Sequence, residues 1–220
     1  MATGAMLHLY AAADIHGRRN RLDRLCRAVA DCRPDVVVLA GDVTGWLAPK
    51  RTRDRLAGLP VPVLTVFGNA DPPWARRVLS NTPGIVPMDL REASVCGEHI
   101  VGVSGTVPLP FATRIRWIGE GRAMEKLSAL VRPKTILVAH PPPRGVVDRV
   151  LGRWHAGCGS IAKVVRTTPP SLMLCGHIHE AGGIGRLGST QVVNCTLGNG
   201  GAGALITFEK GRVLSVDWLE

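Results

Sequence analysis

The sequence lacks the features of a membrane protein and of a disulfide framework. No apolar run approaches the roughly 18 residues that a membrane-spanning helix requires. The opening MATGAMLHLYAAAD lacks the basic start of a signal peptide, and His8 interrupts its apolar run. The six cysteines form no CxxC pair, which argues against a zinc or redox motif, and a chain of 220 residues does not need disulfides. We therefore expect a cytoplasmic protein with reduced thiols and no membrane association.

Acidic residues are scarce as well. The chain has 17 Asp and Glu against 27 Lys and Arg, so its formal charge is +10, which favours anionic ligands such as phosphates or nucleic acid. The basic residues are scattered in pairs, such as Arg18 with Arg19, and do not form a tail. A solvated surface is the simpler interpretation of this scatter. Nucleic acid therefore stays open as a partner, although nothing in the pattern indicates it.

Segments that would divide the chain are also absent. We find no internal repeat, no low-complexity tract and no long Pro/Ser-rich linker. An apolar content of 45% over 220 residues is enough for one well-buried core. We expect residues 1–220 to form a single domain, and composition leaves its oligomeric state open.

Short apolar runs and amphipathic segments alternate along the chain. Buried strands are predicted by LHLYAAAD, DVVVLAGD, PVLTVFGN, TILVAH and SLMLCGH. Helices are predicted by RNRLDRLCRAVADC, GRAMEKLSALVRP and SIAKVVRTTPP, whose apolar residues recur at helical spacing. Gly-punctuated strand text follows from about residue 182 and ends in a hairpin with a KG turn. The pattern favours an α/β (α+β) fold of two sheets with helices outside, partly parallel in the first half and largely antiparallel toward the end.

Seven residues of metal-ligating type stand at the ends of the five predicted strands. They are Asp14 and His16 after the first, Asp42 after the second, Asn69 after the third, His140 after TILVA, and His177 and His179 after SLMLCG. Carboxyl ends of strands in α/β sheets form a common rim where ligands bind, so we expect these side chains to lie together. Imidazole, carboxylate and amide ligands without thiolate suit divalent manganese, iron, nickel, cobalt or zinc. Seven ligands are too many for one ion with an open position, which favours two ions.

The order of these motifs is similar to the signature of the calcineurin-like metallophosphoesterases. D-x-H at 14–16, G-D at 41–42, G-N at 68–69, the lone His140 and G-H-x-H at 176–179 follow one another as in that family. The resemblance implies a four-layer α-β-β-α sandwich of two mixed sheets flanked by helices. It also implies two divalent metal ions at the strand ends, with manganese as the first candidate and magnesium as a further one.

The resemblance implies a role for each ligand. One ion would be held by Asp14, His16, Asp42 and His179, and the other by Asp42, Asn69, His140 and His177. A carboxylate shared by two cations explains why the buried run VVVLAGD ends on Asp42, since burying an ionised Asp is costly without compensation. A bridging hydroxide would attack phosphorus in line with the leaving group, and Asn69 would also hydrogen-bond the phosphoryl group.

The chain departs from the family pattern at residue 70. Many relatives read G-N-H, whereas this chain reads GNADPP, and Ala70 cannot transfer a proton. General acid catalysis typically contributes about 10² to 10⁴ in rate, so another group must supply it or it is absent. His155, in the Gly-rich loop GRWHAGCGS, is our candidate proton donor, and the alternative is an exposed loop histidine without a catalytic role.

Other residues near the motifs have two interpretations each. Arg18 and Arg144 are candidates for clamping a substrate phosphate bidentately, and surface arginines are the alternative. Asp71 precedes two prolines, which predicts a helix N-cap with proline in the first turn. The aromatic residues near the motif loops are Trp46, Trp74 and Trp154, for which packing is favoured over stacking on a base.

We therefore expect a metal-dependent phosphoesterase that acts on phosphodiesters in preference to monoesters, because small phosphodiesterases of the superfamily also replace the histidine of G-N-H. Two alternatives stay open. One is a catalytically weak protein-interaction scaffold on the same fold, as in a eukaryotic retromer subunit, and the other is a nuclease, which would need a contiguous basic groove. The presence of all seven ligands favours an enzyme over a scaffold. The sequence leaves the natural substrate and the physiological metals open.

Overall fold

A computed structural model describes residues 6–45, 49–109 and 112–219 of the chain. The helices are α1 (Arg19–Cys32), α2 (Pro49–Ala57), α3 (Pro73–Ser80), α4 (Glu120–Leu130) and α5 (Gly159–Thr167), with short 3-10 helices at His179–Ala181 and Gly198–Gly200. The strands are β1 (Leu7–Ala12), β2 (Val36–Ala40), β3 (Val63–Val66), β4 (Ile85–Pro87), β5 (Arg91–Val95), β6 (Glu98–Val103), β7 (Val107–Leu109), β8 (Ala112–Arg114), β9 (Ile136–Ala139), β10 (Arg149–Val150), β11 (Trp154–His155), β12 (Leu172–Cys175), β13 (Gly183–Leu187), β14 (Thr190–Asn194), β15 (Ala204–Glu209) and β16 (Arg212–Trp218).

Two six-stranded mixed sheets form the centre of the fold. The first has the order β16-β15-β1-β2-β3-β4, with β1 to β4 parallel and β15 and β16 antiparallel. The second has the order β13-β14-β12-β9-β6-β5, with parallel pairing from β14 to β6 and antiparallel strands at both edges. Parallel pairing therefore extends further into the second half of the chain than the sequence pattern suggested. Small hairpins, β7–β8 and β10–β11, lie outside these sheets.

Side chains alternate between two sides of each strand, and this alternation builds four layers. Leu9 and Val38 of the first sheet face Val138 and Leu174 of the second in one core between the sheets. The outer face of the first sheet packs against α1, α2 and α3, and the outer face of the second packs against α4 and α5. The predicted α-β-β-α sandwich of two mixed sheets is confirmed.

Helix prediction succeeded where apolar periodicity was strong. Helix α1 occupies the whole segment RNRLDRLCRAVADC and buries Leu22, Leu25 and Val29. Helix α2 was not predicted, because Thr52 and Leu56 are its buried residues and they give little apolar periodicity. Among the described residues, no helix is both long enough and apolar enough to cross a bilayer.

The predicted N-cap at Asp71 is wrong. Helix α3 begins at Pro73, and Pro72 is its N-cap in an extended conformation, with no side-chain capping hydrogen bond. The reason is steric, since a residue that precedes proline is disfavoured in the helical conformation, so Pro73 keeps Pro72 outside the helix. The carboxylate of Asp71 is used elsewhere.

Backbone hydrogen bonds join the two sheets at the edge where β1, β2, β3, β9 and β12 end. The amide of Ala13 donates to the carbonyl of Cys195 at 2.9 Å, and the amide of Leu197 donates back to the carbonyl of Ala13 at 2.8 Å. Within the second sheet, the amide of Gly176 donates to the carbonyl of His140 at 2.9 Å. The loops that carry the predicted ligands therefore meet at one edge of the sandwich.

Candidate metal centre

The structure brings six of the seven predicted ligands together at this edge. One group consists of Asp14, His16 and His179, and a second consists of Asp14, Asp42 and His140. Within each group, the ligand atoms all lie within 4.8 Å of one another. His177 lies beside them, because its ring centroid is 5.1 Å from that of His140.

The two carboxylates face imidazole nitrogens. Asp42 Oδ2 lies 3.3 Å from His140 Nε2 and 3.8 Å from His16 Nε2. Asp14 Oδ1 lies 3.1 Å from His179 Nε2 and 3.9 Å from the Nε2 atoms of both His140 and His16. Each carboxylate therefore borders imidazoles of both predicted ligand sets.

His140 has one ring nitrogen satisfied and the other open. Its Nδ1 lies 2.7 Å from the carbonyl oxygen of Ala40, which assigns an N–H to Nδ1 and makes Nε2 the nitrogen that faces the cluster. His140 Nε2 is buried and faces Asp42 Oδ2 at 3.3 Å, a contact that does not meet hydrogen-bond geometry in the described part of the chain. Metal-binding histidines usually donate their second nitrogen to a carbonyl or carboxylate in this way. The donor set therefore fits a divalent cation.

The electrostatics of the cluster also favour a cation. Burial alone would raise the pKa of Asp42, but the His140 imidazole and the Ala70 amide outweigh it and hold that pKa below the usual range. Burial opposes protonation of His140, yet Asp42 and Asp14 raise its pKa to about 9. Burial and the neighbouring His140 lower the pKa of His177 to about 4, so this imidazole is neutral at pH 7. The carboxylates thus favour positive charge among them, either as a proton on His140 or as a bound cation.

Glycines precede the ligands because a side chain would not fit. A Cβ atom at Gly68 would lie 2.2 Å from Asp42 Oδ1, and one at Gly176 would lie 2.7 Å from Asp14 Oδ2. At Gly41, which also has a φ of +92°, a Cβ atom would lie 2.5 Å from His140 Nδ1. The glycines of G-D, G-N and G-H therefore provide space for the carboxylates and imidazoles.

Four of the predicted ligands adopt the left-handed backbone conformation. The φ angles are 59° at Asp14, 52° at His16, 52° at Asp42 and 71° at His177. Such conformations cost about 1–3 kcal/mol each in residues with a side chain and are concentrated at functional sites. Backbone hydrogen bonds hold them here, since Asp14 N donates to Gly41 O at 3.0 Å and His16 N donates to Asp42 O at 2.8 Å.

Asn69, the seventh predicted ligand, directly follows Gly68 at the end of β3. Its side chain is exposed and makes no hydrogen bond with any residue that the structure describes. The backbone of Gly68 lies against Asp42 and His140, so Asn69 is next to the cluster in sequence and in space. Its role as a ligand stays a prediction.

Two buried residues, Asp71 and Arg21, have structural roles that the sequence did not predict, and they hold the ligand loops in place. The Asp71 carboxylate accepts hydrogen bonds from the Thr44 amide at 2.8 Å, the Thr44 hydroxyl at 3.0 Å and the Gly68 amide at 3.0 Å. It thereby ties the loop after β2 to the loop after β3. The Arg21 guanidinium donates to the carbonyl of Asp14. Arg21 lies one helical turn after Arg18. This spacing is the sequence feature that could have indicated a role for Arg21 near the site.

An open cavity of about 610 Å³ lies over part of the cluster. Its lining residues are His16, Arg18, Arg21, Gly45, Ala70, His179 and Asn199. Arg18 thus lines this cavity, and its role as a substrate contact stays a prediction. Arg144 is exposed in the loop after β9 and does not line this cavity.

His155 lines a second cavity, of about 360 Å³. Its Nδ1 lies 2.6 Å from Oδ1 of Asp148, a fully buried carboxylate that also accepts the amides of Gly145 and Gly157. Glu180, which follows the predicted ligand His179, lines the same cavity. The structure therefore fixes the orientation of His155 and places it in a cavity separate from the one that His16 and His179 line.

The tryptophans near the motif loops do not line either cavity where the structure describes them. Trp46 falls outside the described residues. Trp74 and Trp154 are partly exposed and are absent from both sets of lining residues. Base stacking by these residues therefore gains no support.

Comparison with known proteins identifies relatives across most of the chain. The family model described as calcineurin-like phosphoesterase matches residues 7–181. A protein of Methanocaldococcus jannaschii is 27% identical over 197 residues, which cover 86% of this chain and 87% of that protein. A cAMP/cGMP dual-specificity phosphodiesterase of Mycobacterium tuberculosis is 29% identical over 188 residues, which cover 80% of this chain and 58% of that enzyme. The chain thus matches about three-fifths of the length of the mycobacterial enzyme.

The fold has solved counterparts as well. A dimetal phosphatase from Danio rerio superposes with a TM-score of 0.62 at 16% sequence identity, over 97% of this chain and 98% of that structure. At this identity the likeness concerns the fold.

Gly68→Ala tests the packing of the cluster. The new methyl group would press on Asp42 and His140, so we expect the free energy of unfolding to fall by about 1–3 kcal/mol and manganese affinity to fall at least about tenfold. Urea denaturation and isothermal titration calorimetry measure these quantities. Gly121→Ala is the matched control, because nothing lies within 4 Å of a Cβ atom there. Unchanged manganese affinity in Gly68→Ala would contradict the cluster geometry.

Proposed function

Since this chain belongs to the calcineurin-like phosphoesterase family, we propose that it is a metal-dependent hydrolase of phosphodiester bonds with two divalent ions at its active site. The observation that carries the proposal is the gathering of six predicted ligands at one edge, where the buried Nε2 of His140 faces the Asp42 carboxylate at 3.3 Å. A binding scaffold would not require these six side chains to meet, and their proximity supports an enzyme.

The proposed ligand sets follow the motif order. One ion would be held by Asp14, His16, Asp42 and His179, and the other by Asp42, Asn69, His140 and His177. Two ions bound there would lower the pKa of a water molecule and offset the charge of the phosphoryl group. The position of Asp42 Oδ2 between His16 and His140 supports its role as the shared ligand.

The residues around the ligands would hold the charged groups in place. The Ala70 amide donates to Asp42 Oδ1 at 2.7 Å, which leaves Oδ2 directed to the imidazoles. The His177 amide donates to Asp14 Oδ2 at 3.0 Å. Asn69 would add an amide that hydrogen-bonds the phosphoryl group. Such preorganised donors act without reorganising during the reaction.

We further propose that the enzyme prefers phosphodiesters to phosphate monoesters. It is supported by the name of the mycobacterial relative, a cyclic-nucleotide phosphodiesterase, and by Ala70, which offers no imidazole at the cavity mouth. We keep manganese as the first candidate for both ions. The nuclease alternative requires a continuous basic groove. The arginines lining the cavity are Arg18 and Arg21, and two residues do not establish such a groove.

We also propose that the chain forms a single domain. Strands β15 and β16 complete the first sheet, and β13 and β14 complete the second. Residues after 181, where the family model ends, therefore share the core of the earlier residues. This supports a single domain over the described chain.

His155 is the proposed proton donor. The hydrogen bond from Nδ1 to Asp148 orients the ring and leaves Nε2 as the nitrogen that could donate, and a carboxylate partner is a common way to orient a catalytic imidazole. Arg144 stays a candidate substrate contact on the exposed loop after β9.

Asp42→Asn tests the metal-dependent reaction. The amide keeps the shape of the side chain but removes the charge shared between the imidazoles, so we expect hydrolysis of bis(p-nitrophenyl) phosphate with manganese to fall at least about 100-fold. Manganese should also raise the melting temperature of the wild type and not that of the variant. Asp217→Asn, on the exposed face of β16, is the control.

Equal turnover by wild type and Asp42→Asn would contradict the hydrolase proposal. Faster hydrolysis of p-nitrophenyl phosphate than of the diester would contradict the phosphodiesterase part alone. The two substrates share a leaving group, so their ratio reports the phosphoryl specificity.

His155→Ala tests the proton donor. A lost general acid slows poor leaving groups most, so the drop in turnover should grow from p-nitrophenyl to phenyl to alkyl esters and reach about 100-fold. His99→Ala is the control, since His99 pairs with Glu92 and Thr135 away from the site. A drop of the same size for every leaving group would indicate a structural role and contradict proton donation.

A further inference from the structure

The three most exposed large apolar side chains of the described chain lie in two short segments. Ile118 is 85% exposed and Trp117 is 65% exposed, and both belong to the loop 115–119 between β8 and α4. Leu151 is 68% exposed and lies at the turn of hairpin β10–β11, whose Trp154 is also exposed. Isolated apolar residues are ordinary at protein surfaces, whereas contiguous ones mark interaction sites. These two segments, the apolar rim, are therefore a candidate interaction surface.

The apolar rim lies at the edge of the sandwich that carries the predicted ligands. Strands β6 and β9 are adjacent and parallel, so their carboxyl ends share that edge. The carbonyl group of Ile115 lies against Gly105, just after β6, which brings the loop 115–119 back to this edge. Hairpin β10–β11 follows β9, and the hydroxyl of Thr113 donates to the carbonyl of Ala156, directly after the hairpin, at 2.7 Å. The two segments therefore belong to loops that contact each other.

The hairpin holds its apolar tip outward at a conformational cost. Leu151 and Gly152 form the turn with φ angles of 50° and 67°. A left-handed backbone costs a residue with a side chain about 1–3 kcal/mol, and an exposed leucine gains no burial in return. Glu180 fixes this turn, because its Oε1 accepts the amide of Leu151 at 2.8 Å. The fold thus presents a leucine where only a partner can cover it.

Arginines flank the apolar side chains. Residues 112–119 contain Arg114 and Arg116 without any acidic residue. Residues 141–158 contain three arginines and a single acidic residue, the fully buried Asp148. The guanidinium of Arg153 lies over the ring of Trp154, at 5.1 Å from its centroid. Positive charge therefore lies directly beside the apolar rim.

This charge is neutralised only in part. Glu120 pairs with Arg114 at 2.8 Å, and Asp89 pairs with Arg116 at 2.9 Å. The two arginines of hairpin β10–β11 form no ion pair with the residues that the structure describes. The hairpin therefore offers unpaired guanidinium groups next to its exposed leucine and tryptophan.

A lipid bilayer with anionic headgroups fits this combination. Tryptophan is enriched at the interface between membrane and water, and leucine and isoleucine enter the apolar region beyond it. Guanidinium groups bind phosphates bidentately, and each basic residue near an anionic membrane contributes about 1 kcal/mol. A second copy of the chain would bring the same arginines together, which like-charge repulsion opposes.

We propose that the apolar rim docks this protein on anionic lipid bilayers. Trp117, Ile118, Leu151 and Trp154 enter the interface, and the arginines beside them contact lipid phosphates. The docking is peripheral, and it turns the edge with the predicted metal ligands toward the membrane. It differs from the expectation of no membrane association, because the sequence alone does not show which apolar side chains are exposed. Vesicle binding needs no turnover, so the inference is independent of the proposed hydrolysis.

Sedimentation with lipid vesicles tests the docking surface. The wild type should bind vesicles made of equal parts of phosphatidylcholine and phosphatidylglycerol at least about tenfold more tightly than vesicles of phosphatidylcholine alone. The double change Trp117→Ser and Ile118→Ser should weaken binding to the anionic vesicles at least about tenfold, because less apolar area is buried in the interface. Leu151→Ser should weaken the same binding by a smaller factor.

Leu214→Ser is the matched control. Leu214 is 53% exposed on β16, an edge strand of the first sheet, so it is a comparable apolar side chain outside the apolar rim. We expect its vesicle binding to stay within about twofold of that of the wild type. Thermal melting should show that all of these variants fold, since the changed side chains are exposed.

Tryptophan fluorescence locates the contact on the protein. Vesicles with brominated acyl chains should quench the emission of the wild type, and the quenching should decrease in Trp117→Phe and not in Trp218→Phe, which changes a partly buried residue of β16. Equal vesicle binding by the wild type and the double variant, or binding without quenching, would overturn the proposal. A wild-type dimer that the double change dissociates, without any vesicle binding, would assign the apolar rim to a second copy and would also overturn it.

Discussion

Two buried carboxylates, Asp14 and Asp42, impose the constraint on which the rest of the structure depends. An ionised carboxylate removed from water is costly unless it is paired or hydrogen-bonded. Here the amides of Ala70 and His177 donate to them, and imidazoles surround them. These polar groups lie at the junction of the two sheets because they directly follow the ends of strands. The fold therefore places an anionic centre at its edge and compensates it from both sheets.

The sequence around the carboxylates follows from this constraint. Gly41, Gly68 and Gly176 occur where a Cβ atom would touch a ligand, and the left-handed backbone at Asp14 and Asp42 turns the chain sharply at the strand ends. Such local costs are typical of functional sites, where the surrounding fold must offset them. Arg18 and Arg21 line the cavity with His16 and His179, so positive side chains lie beside the carboxylate cluster.

Much of this arrangement could be predicted from local sequence patterns. Apolar runs gave the central strands, and strong periodicity gave α1, because Leu22, Leu25 and Val29 repeat on one face. Helix α2 was not predicted, since its buried face has few apolar side chains. The partner of Asp71 is Thr44, 27 residues earlier in the chain, and no local rule connects the two. Long-range polar contacts could therefore be identified only from the structure, whereas the ligand motifs could be identified from the sequence.

The central claim is that a pair of divalent cations compensates the two carboxylates. Anomalous diffraction from crystals grown with manganese tests it most directly. We expect two anomalous peaks, one beside His140 and the other beside His16 and His179, with Asp42 between them. No peak, or a single peak among these residues at saturating manganese, would contradict it.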